Sequence, residues 1–274
     1  MRSISRVADV SINTVTKMLI EAGEATLALH DEHVREVPAS RVQCDEIWSF
    51  CYAKQKNVSD AKDAPLGSGD VWTWTAIEAG SKLIVSYFVG DRTARSAVPF
   101  IQDLSERLAN RVQLTTDGHR AYLEAVESAF GDDIDFGQLV KLYGDAPESV
   151  KGRYSPAECL GAKKTRRAGR PDEGHISTSY VERQNLTMRM SMRRFTRLTN
   201  GFSKKLDNHI YALAPYFFHY NFCRQHKSLG GVSPAMAAGI SQTLWSLEDV
   251  VKVIDERAPK PQRPKRYKKR QNSN

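Results

Sequence analysis

The stretch that most constrains the fold is Val112-Gln-Leu-Thr-Thr-Asp-Gly-His-Arg-Ala-Tyr122. Its apolar and β-branched first half predicts a short strand over 112–116, which stops at Asp117. Gly118 then makes a tight turn into a helix. A strand that ends by presenting one carboxylate at a sheet edge is a common way to hold a metal ligand. The rest of the chain must supply neighbours for that strand and partners for that carboxylate.

The neighbours lie upstream. Arg41–Cys51, 71–77 and 82–89 read as three strands, with a Gly/Asp/Lys-rich connection over 55–70 and a turn at Ala79-Gly80-Ser81. Such spacing predicts an antiparallel meander. Residues 93–108 carry Ala97, Phe100, Ile101, Leu104 and Leu108 on one helical face. The strand at 112–116 returns after this helix and is expected to pair parallel to the first. The order β-β-β-α-β followed by helices predicts an α/β fold, a mixed central sheet with flanking helices.

Downstream, 122–142 reads as a helix interrupted at Gly131-Asp132-Asp133. Residues 151–170 hold seven Lys or Arg against the single acid Glu158 and read as a loop, either a solvated insertion or a DNA-facing one. A helix is expected from 177 to about 197, with Val181, Met188, Met192 and Phe195 inward. Arg183, Arg189, Arg193, Arg194 and Arg197 populate much of its remaining surface. A further aromatic helix is expected over 206–221.

At the start of the chain, 3–19 reads as helix, turn, helix. Ile4, Val7 and Ala8 form an apolar edge, Asp9-Val10 the turn, and Ser11 the N-cap of a second helix carrying Val15, Met18 and Leu19 inward. Asn13, Thr14 and Lys17 then face outward, as the residues of a recognition helix do, although a plain helical hairpin has the same pattern. A trihelical unit would need another helix upstream. Residues 1–29 are therefore expected as a partial helix-turn-helix and 30–40 as a polar linker. A main domain over 41–256, with a basic insertion at about 151–176, and a disordered basic tail over 257–274 follow.

The net charge is +8, and the tail holds eight Lys or Arg with no acid, so the rest of the chain is balanced. Such a tail suits either an arm on a phosphate backbone or a solubilising terminus. No apolar run approaches the roughly 20 residues needed to cross a bilayer, and the start lacks the apolar stretch of a signal peptide. A cytoplasmic protein is expected. Cys44, Cys51, Cys159 and Cys223 show no zinc spacing and read as reduced thiols.

Two acids are candidate partners for Asp117. Asp45 lies in the first strand and Glu182 in the first turn of the helix near 180. Strand alternation sends Asp45 and Glu46 to opposite faces, so only Asp45 is taken as a ligand. Asp45 and Asp117 can approach across strands about 4.8 Å apart. With Glu182 they would complete an oxygen-rich pocket for two Mg²⁺ or Mn²⁺ ions, the arrangement used for in-line phosphoryl displacement. Each acid also has an ordinary role open to it: a helix cap for Asp117, a dipole partner for Glu182, an edge charge for Asp45.

Three motifs stand in order: Cys44-Asp-Glu-Ile-Trp-Ser-Phe50, Thr115-Thr-Asp-Gly-His-Arg-Ala-Tyr122 and Val181-Glu-Arg-Gln-Asn-Leu-Thr-Met-Arg189. Phe202-Ser-Lys-Lys205 and Tyr220-Asn-Phe-Cys-Arg-Gln-His-Lys227 follow them. Over about 41–229 this set resembles the DDE transposases of the insertion sequence 1 (IS-one) family. The resemblance implies an RNase H-like fold with Asp45, Asp117 and Glu182 as the metal-binding triad. It also implies recognition of terminal inverted repeats, exposure of 3′-hydroxyls by water, and their joining to target DNA by transesterification. Arg183, Arg189 and Arg193 are then expected on DNA phosphates beside Glu182, and Asn13 and Lys17 on DNA in the N-terminal helix pair. A homo-oligomer associated with the nucleoid is expected, because two element ends must be processed together. The rival readings are a metal-dependent nuclease without strand transfer and a non-catalytic DNA-binding derivative of a transposase.

Overall fold

The computed structural model describes residues 1–144, 159–196 and 200–257. Six strands form one sheet: β1 (Arg41–Cys51), β2 (Gly69–Glu78), β3 (Ile84–Gly90), β4 (Gln113–Asp117), β5 (Asp135–Tyr143) and β6 (Cys159–Ala168). Their spatial order is β3-β2-β1-β4-β5-β6. The expected meander is present, with β2 antiparallel to both β1 and β3. β4 returns parallel to β1, placing Arg41 opposite Gln113 and Cys44 opposite Thr116. A mixed sheet so ordered, with helices on both faces, is the RNase H-like layout.

Strand alternation in β1 sorts the layers. Val42 and Cys44 enter a core with Ala97, Phe100, Ile101 and Leu104 of α3 (Ala94–Arg107) and with Tyr122, Ala125 and Val126 of α4 (Ala121–Phe130). Ile47, on the opposite face, packs with Val181 and Met188 of α5 (Ser179–Ser191) and with Leu213 and Phe217 of α6 (Leu206–Phe218). The helix expected to about 197 ends at Ser191; a tight turn over Arg193–Phe195 then buries Phe195, and 197–199 lie outside the described residues.

Two strands depart from expectation. The interrupted helix over 122–142 is helical only to Phe130; Gly131 ends it in a left-handed conformation (φ 53°), and β5 follows. The free edge of β4 supplies the unpaired backbone groups that draw 135–139 into parallel pairing. The basic segment expected as a loop is, over 159–168, the strand β6, antiparallel to β5. None of its residues is buried, so no apolar alternation marks it. Residues 151–158 lie outside the described residues.

The N-terminus starts as expected. α1 (Arg2–Val7) leads through a turn with Asp9 at φ 50° to α2 (Ile12–His33), where Ser11 accepts the Thr14 N–H. α2 does not stop at Leu19. Gly23 lies against α6, where a Cβ would meet that of Tyr211 at 2.5 Å, and Leu29 and His30 are buried. Val34, Val37 and Ala39, in the segment expected as a polar linker, belong to the main core. The apolar edge of the helix pair is not packed as expected: Ile4, Val7 and Met18 are exposed, because α1 buries no residue of its own. α7 (Pro234–Ala237) and α8 (Leu247–Arg257) complete the described chain, with Arg257 paired to Glu32 of α2 at 2.6 Å. The tail beyond lies outside the described residues. No described helix is long and apolar enough to cross a membrane.

Candidate metal centre

The pairing of β1 with β4 ends at Cys44 and Thr116. β1 runs on to Cys51, while β4 ends at Asp117 and turns at Gly118. This opening is the mouth of a cleft of about 790 Å³ lined by Asp45, Glu46, Asp117 and Glu182.

Asp117 is held by its own turn: one carboxylate oxygen accepts the His119 N–H at 2.9 Å. The His119 ring stacks on Trp74, centroids 5.9 Å apart, so the turn is braced from below by a buried indole. Asp117 thus closes its own turn and does not cap α4, whose N-cap is Arg120, and its second oxygen faces the cleft.

Asp45 accepts a hydrogen bond from the Asn185 side-chain amide at 2.8 Å. Burial first, and then the Asp117 charge, raises its carboxyl from the ordinary range to about 6. The next residue corrects the expectation that only one of the two adjacent acids reaches the site. Asp45, Glu46 and Asp117 each offer an oxygen within 4.8 Å of the others. Asp45 and Glu46 do leave β1 on opposite faces, but β1 has lost its parallel neighbour at this point, so both side chains fold around the same free edge. At an effective dielectric constant of about 20, each pair of charges so placed repels by roughly 3 kcal/mol.

Glu46 bears most of that strain. Its side chain is fully buried, and neither oxygen has a hydrogen-bond partner. Burial, followed by the charges of Asp117 and Asp45, pushes its carboxyl up to about 8. The nearest cation is Arg92, whose Nη2 stands 3.4 Å from both Glu46 and Asp117 while its guanidinium lies over the Trp72 ring at 4.7 Å.

Glu182 lies outside the close group and faces it across the same cleft. One oxygen accepts from Lys141 at 2.6 Å, the other from the Thr178 hydroxyl at 2.6 Å. α5 is docked for this by Gln43 of β1, whose side-chain carbonyl accepts the N–H groups of Tyr180 and Val181 at 2.8 and 3.2 Å. Because Glu182, Asn185 and Arg189 recur at helical spacing, all three face the cleft while Val181, Gln184 and Met188 are buried.

Of the expected DNA contacts, Arg189 lines the cleft, whereas Arg183 and Arg193 are exposed outside its lining. Asn13 and Lys17 are exposed on α2, and Lys17 is 3.5 Å from Glu21. Arg194 is spent inside the fold on Ser203 and His209. Glu46, Arg92, Lys141 and Asn185 are site residues that the sequence did not single out. Asn185 carried a legible signal, three positions after Glu182 on the same helix face. Lys141 carried none, since its strand was unrecognised.

An all-oxygen donor set with three crowded carboxylates, one of them buried with no hydrogen bond, fits a hard divalent cation. Arg92, Arg120, Lys141 and Arg189 line the same cleft, so anionic and cationic groups share one space.

No family model and no curated protein matches this chain. Among solved structures, the chain is similar to a piggyBac transposase in a synaptic complex with hairpin DNA, at 10% sequence identity and a TM-score of 0.34. The match covers 82% of this chain and 55% of that one, so the chain spans about half the length of that transposase.

Proposed function

We propose that this protein is a divalent-metal-dependent DNA transposase of the DDE type, acting on element ends and joining the freed 3′-hydroxyls to target DNA. The observation that carries the reading is the convergence of carboxylates within 4.8 Å in a cleft that also presents Arg92, Arg120, Lys141 and Arg189. Acids alone would repel a phosphodiester, and cations alone would hold it without cutting it. The two sets together suit phosphoryl transfer on a polyanion.

In this reading Asp45, Asp117 and Glu182 hold Mg²⁺ or Mn²⁺. The ions, when bound, would activate the attacking oxygen and stabilise the leaving one. The protein's own part is to orient the ligands and the phosphates. Asn185 fixes Asp45, the His119 N–H fixes Asp117, and Lys141 with Thr178 fixes Glu182. Arg189 would take a phosphate oxygen inside the cleft, with Arg183 and Arg193 along the flanking backbone and Asn13 and Lys17 on a more distant part of the DNA. Water or a 3′-hydroxyl serves as nucleophile, so no covalent protein–DNA intermediate is needed. The three sequence motifs support assignment to the insertion sequence 1 family, and with it a homo-oligomer that brings two terminal inverted repeats together near the nucleoid.

The test is Glu182→Gln. Strand cleavage of a labelled element-end duplex should be abolished while the duplex is retained nearly as well as by wild type. Undiminished cleavage would remove Glu182 from the ligand set.

A further inference from the structure

Glu46 is the residue that the triad leaves unexplained. A carboxylate with its side chain wholly out of solvent is normally met by several N–H or O–H donors, because an unpaired buried charge is costly. Here neither oxygen has one. The Tyr122 hydroxyl is near enough to hold the Glu46 carboxyl down a little, yet it falls short of the geometry of a formed hydrogen bond. Among the described residues the cation paired with it is Arg92, which is shared with Asp117 at the same 3.4 Å and is itself 42% exposed. A second buried polar atom points the same way: Asn185 retains 5% of its exposure, lines the cleft, and its carbonyl oxygen has no partner although its amide nitrogen holds Asp45. Glu46 and the Asn185 carbonyl oxygen thus face the same small space as Asp45 and Asp117, and neither of these two buried acceptors has a hydrogen-bond donor.

We infer that Glu46 is a fourth acidic ligand of the centre, holding a divalent cation jointly with Asp45 and Asp117 in the DNA-free protein, and that Arg92 is the counter-charge this ion displaces. The inference rests on the phosphoryl-transfer reading of the same cleft. Arg92 is suited to the exchange: its guanidinium lies over the Trp72 ring, and its contacts to the acids are long, so it is released without breaking a bidentate pair. The alternative is a purely structural Glu46–Arg92 ion pair, which would gain nothing from a metal.

The experiment is Mn²⁺ binding to the full chain without DNA, read from the loss of the free-ion electron paramagnetic resonance signal. Melting in EDTA checks that each variant is folded. Wild type should bind; Glu46→Gln should bind at least about tenfold more weakly, the scale seen when a metal site loses a supporting group. Glu46→Asp should recover part of the affinity, and Arg92→Gln should bind more tightly than wild type, since a competing cation is gone. Glu46→Gln binding as wild type does, while Asp117→Asn has lost the ion, would overturn the inference and leave the phosphoryl-transfer reading standing. A wild type that takes up no Mn²⁺ without DNA would overturn the inference as well, and DNA cleavage by the same preparation would then show that the ions arrive with substrate.

Discussion

Replacing Glu46 with Gln should make the metal-free protein more stable. The carboxyl is pushed up to about 8 from an ordinary 4.5. In the unfolded chain at pH 7 it is ionised; in the folded protein it is largely protonated, so folding must take up a proton. With each tenfold in proton affinity worth about 1.4 kcal/mol, that uptake costs roughly 3 kcal/mol at pH 7. An amide of the same shape has no proton to take up. For a chain of this length the unfolding entropy is about 0.6 kcal/mol/K, so the melting temperature should rise by roughly 5 °C. The sign with pH follows from the folded-state value lying above the unfolded one. The advantage of the variant is largest above pH 8, shrinks as pH falls, and disappears below pH 4.5, where both states of the wild type are protonated. The assay is thermal melting in EDTA at pH 5, 7 and 8.5. A difference that does not change with pH, or a less stable variant at pH 8.5, would refute the electrostatic account of the cluster.

Gln43→Leu strips the acceptor from two N–H groups at the start of α5 and should cost about 1–3 kcal/mol in urea unfolding, with a loss of metal-dependent cleavage as Glu182 shifts. No loss of stability would show that packing alone seats that helix. Burial, and after it the charge of Arg194, lowers the His209 imidazole to about 3. The folded protein keeps it neutral while the unfolded chain protonates below about 6.5, so the stability it contributes is complete above that pH and is lost as pH falls. Relative to His209→Asn, wild type should lose about 2 kcal/mol between pH 7 and pH 5 in denaturant titrations; parallel curves would contradict this.

The central meander, α3 and β4 were legible because each carries its own periodicity: β-branched runs broken by turn residues, then Phe100, Ile101 and Leu104 at helical spacing. β6 was not, because 159–168 buries nothing and becomes a strand only by pairing with β5. β5 was obscured by an apolar content equally compatible with a helix. The continuation of α2 to His33 depends on Gly23 meeting Tyr211 of α6, a contact between residues far apart in the chain. At the site, the nearness of Asp45 to Asp117 followed from parallel pairing of β1 and β4. Glu46 did not follow, because alternation describes where a side chain leaves the strand and not where a carboxylate ends once the neighbouring strand has stopped. Arg92 comes from the turn before α3, which no local pattern ties to β4.

The most direct test of the account is Mg²⁺-dependent nicking and joining of a labelled duplex carrying an element end, with wild type compared to Asp117→Asn. Joined product from the wild type that vanishes in the variant is the expected result, since Asp117 is the carboxylate shared by the close cluster and the turn that supports it. Duplex bound by both proteins with no product from either would contradict the catalytic reading and leave a DNA-binding protein on an RNase H-like fold.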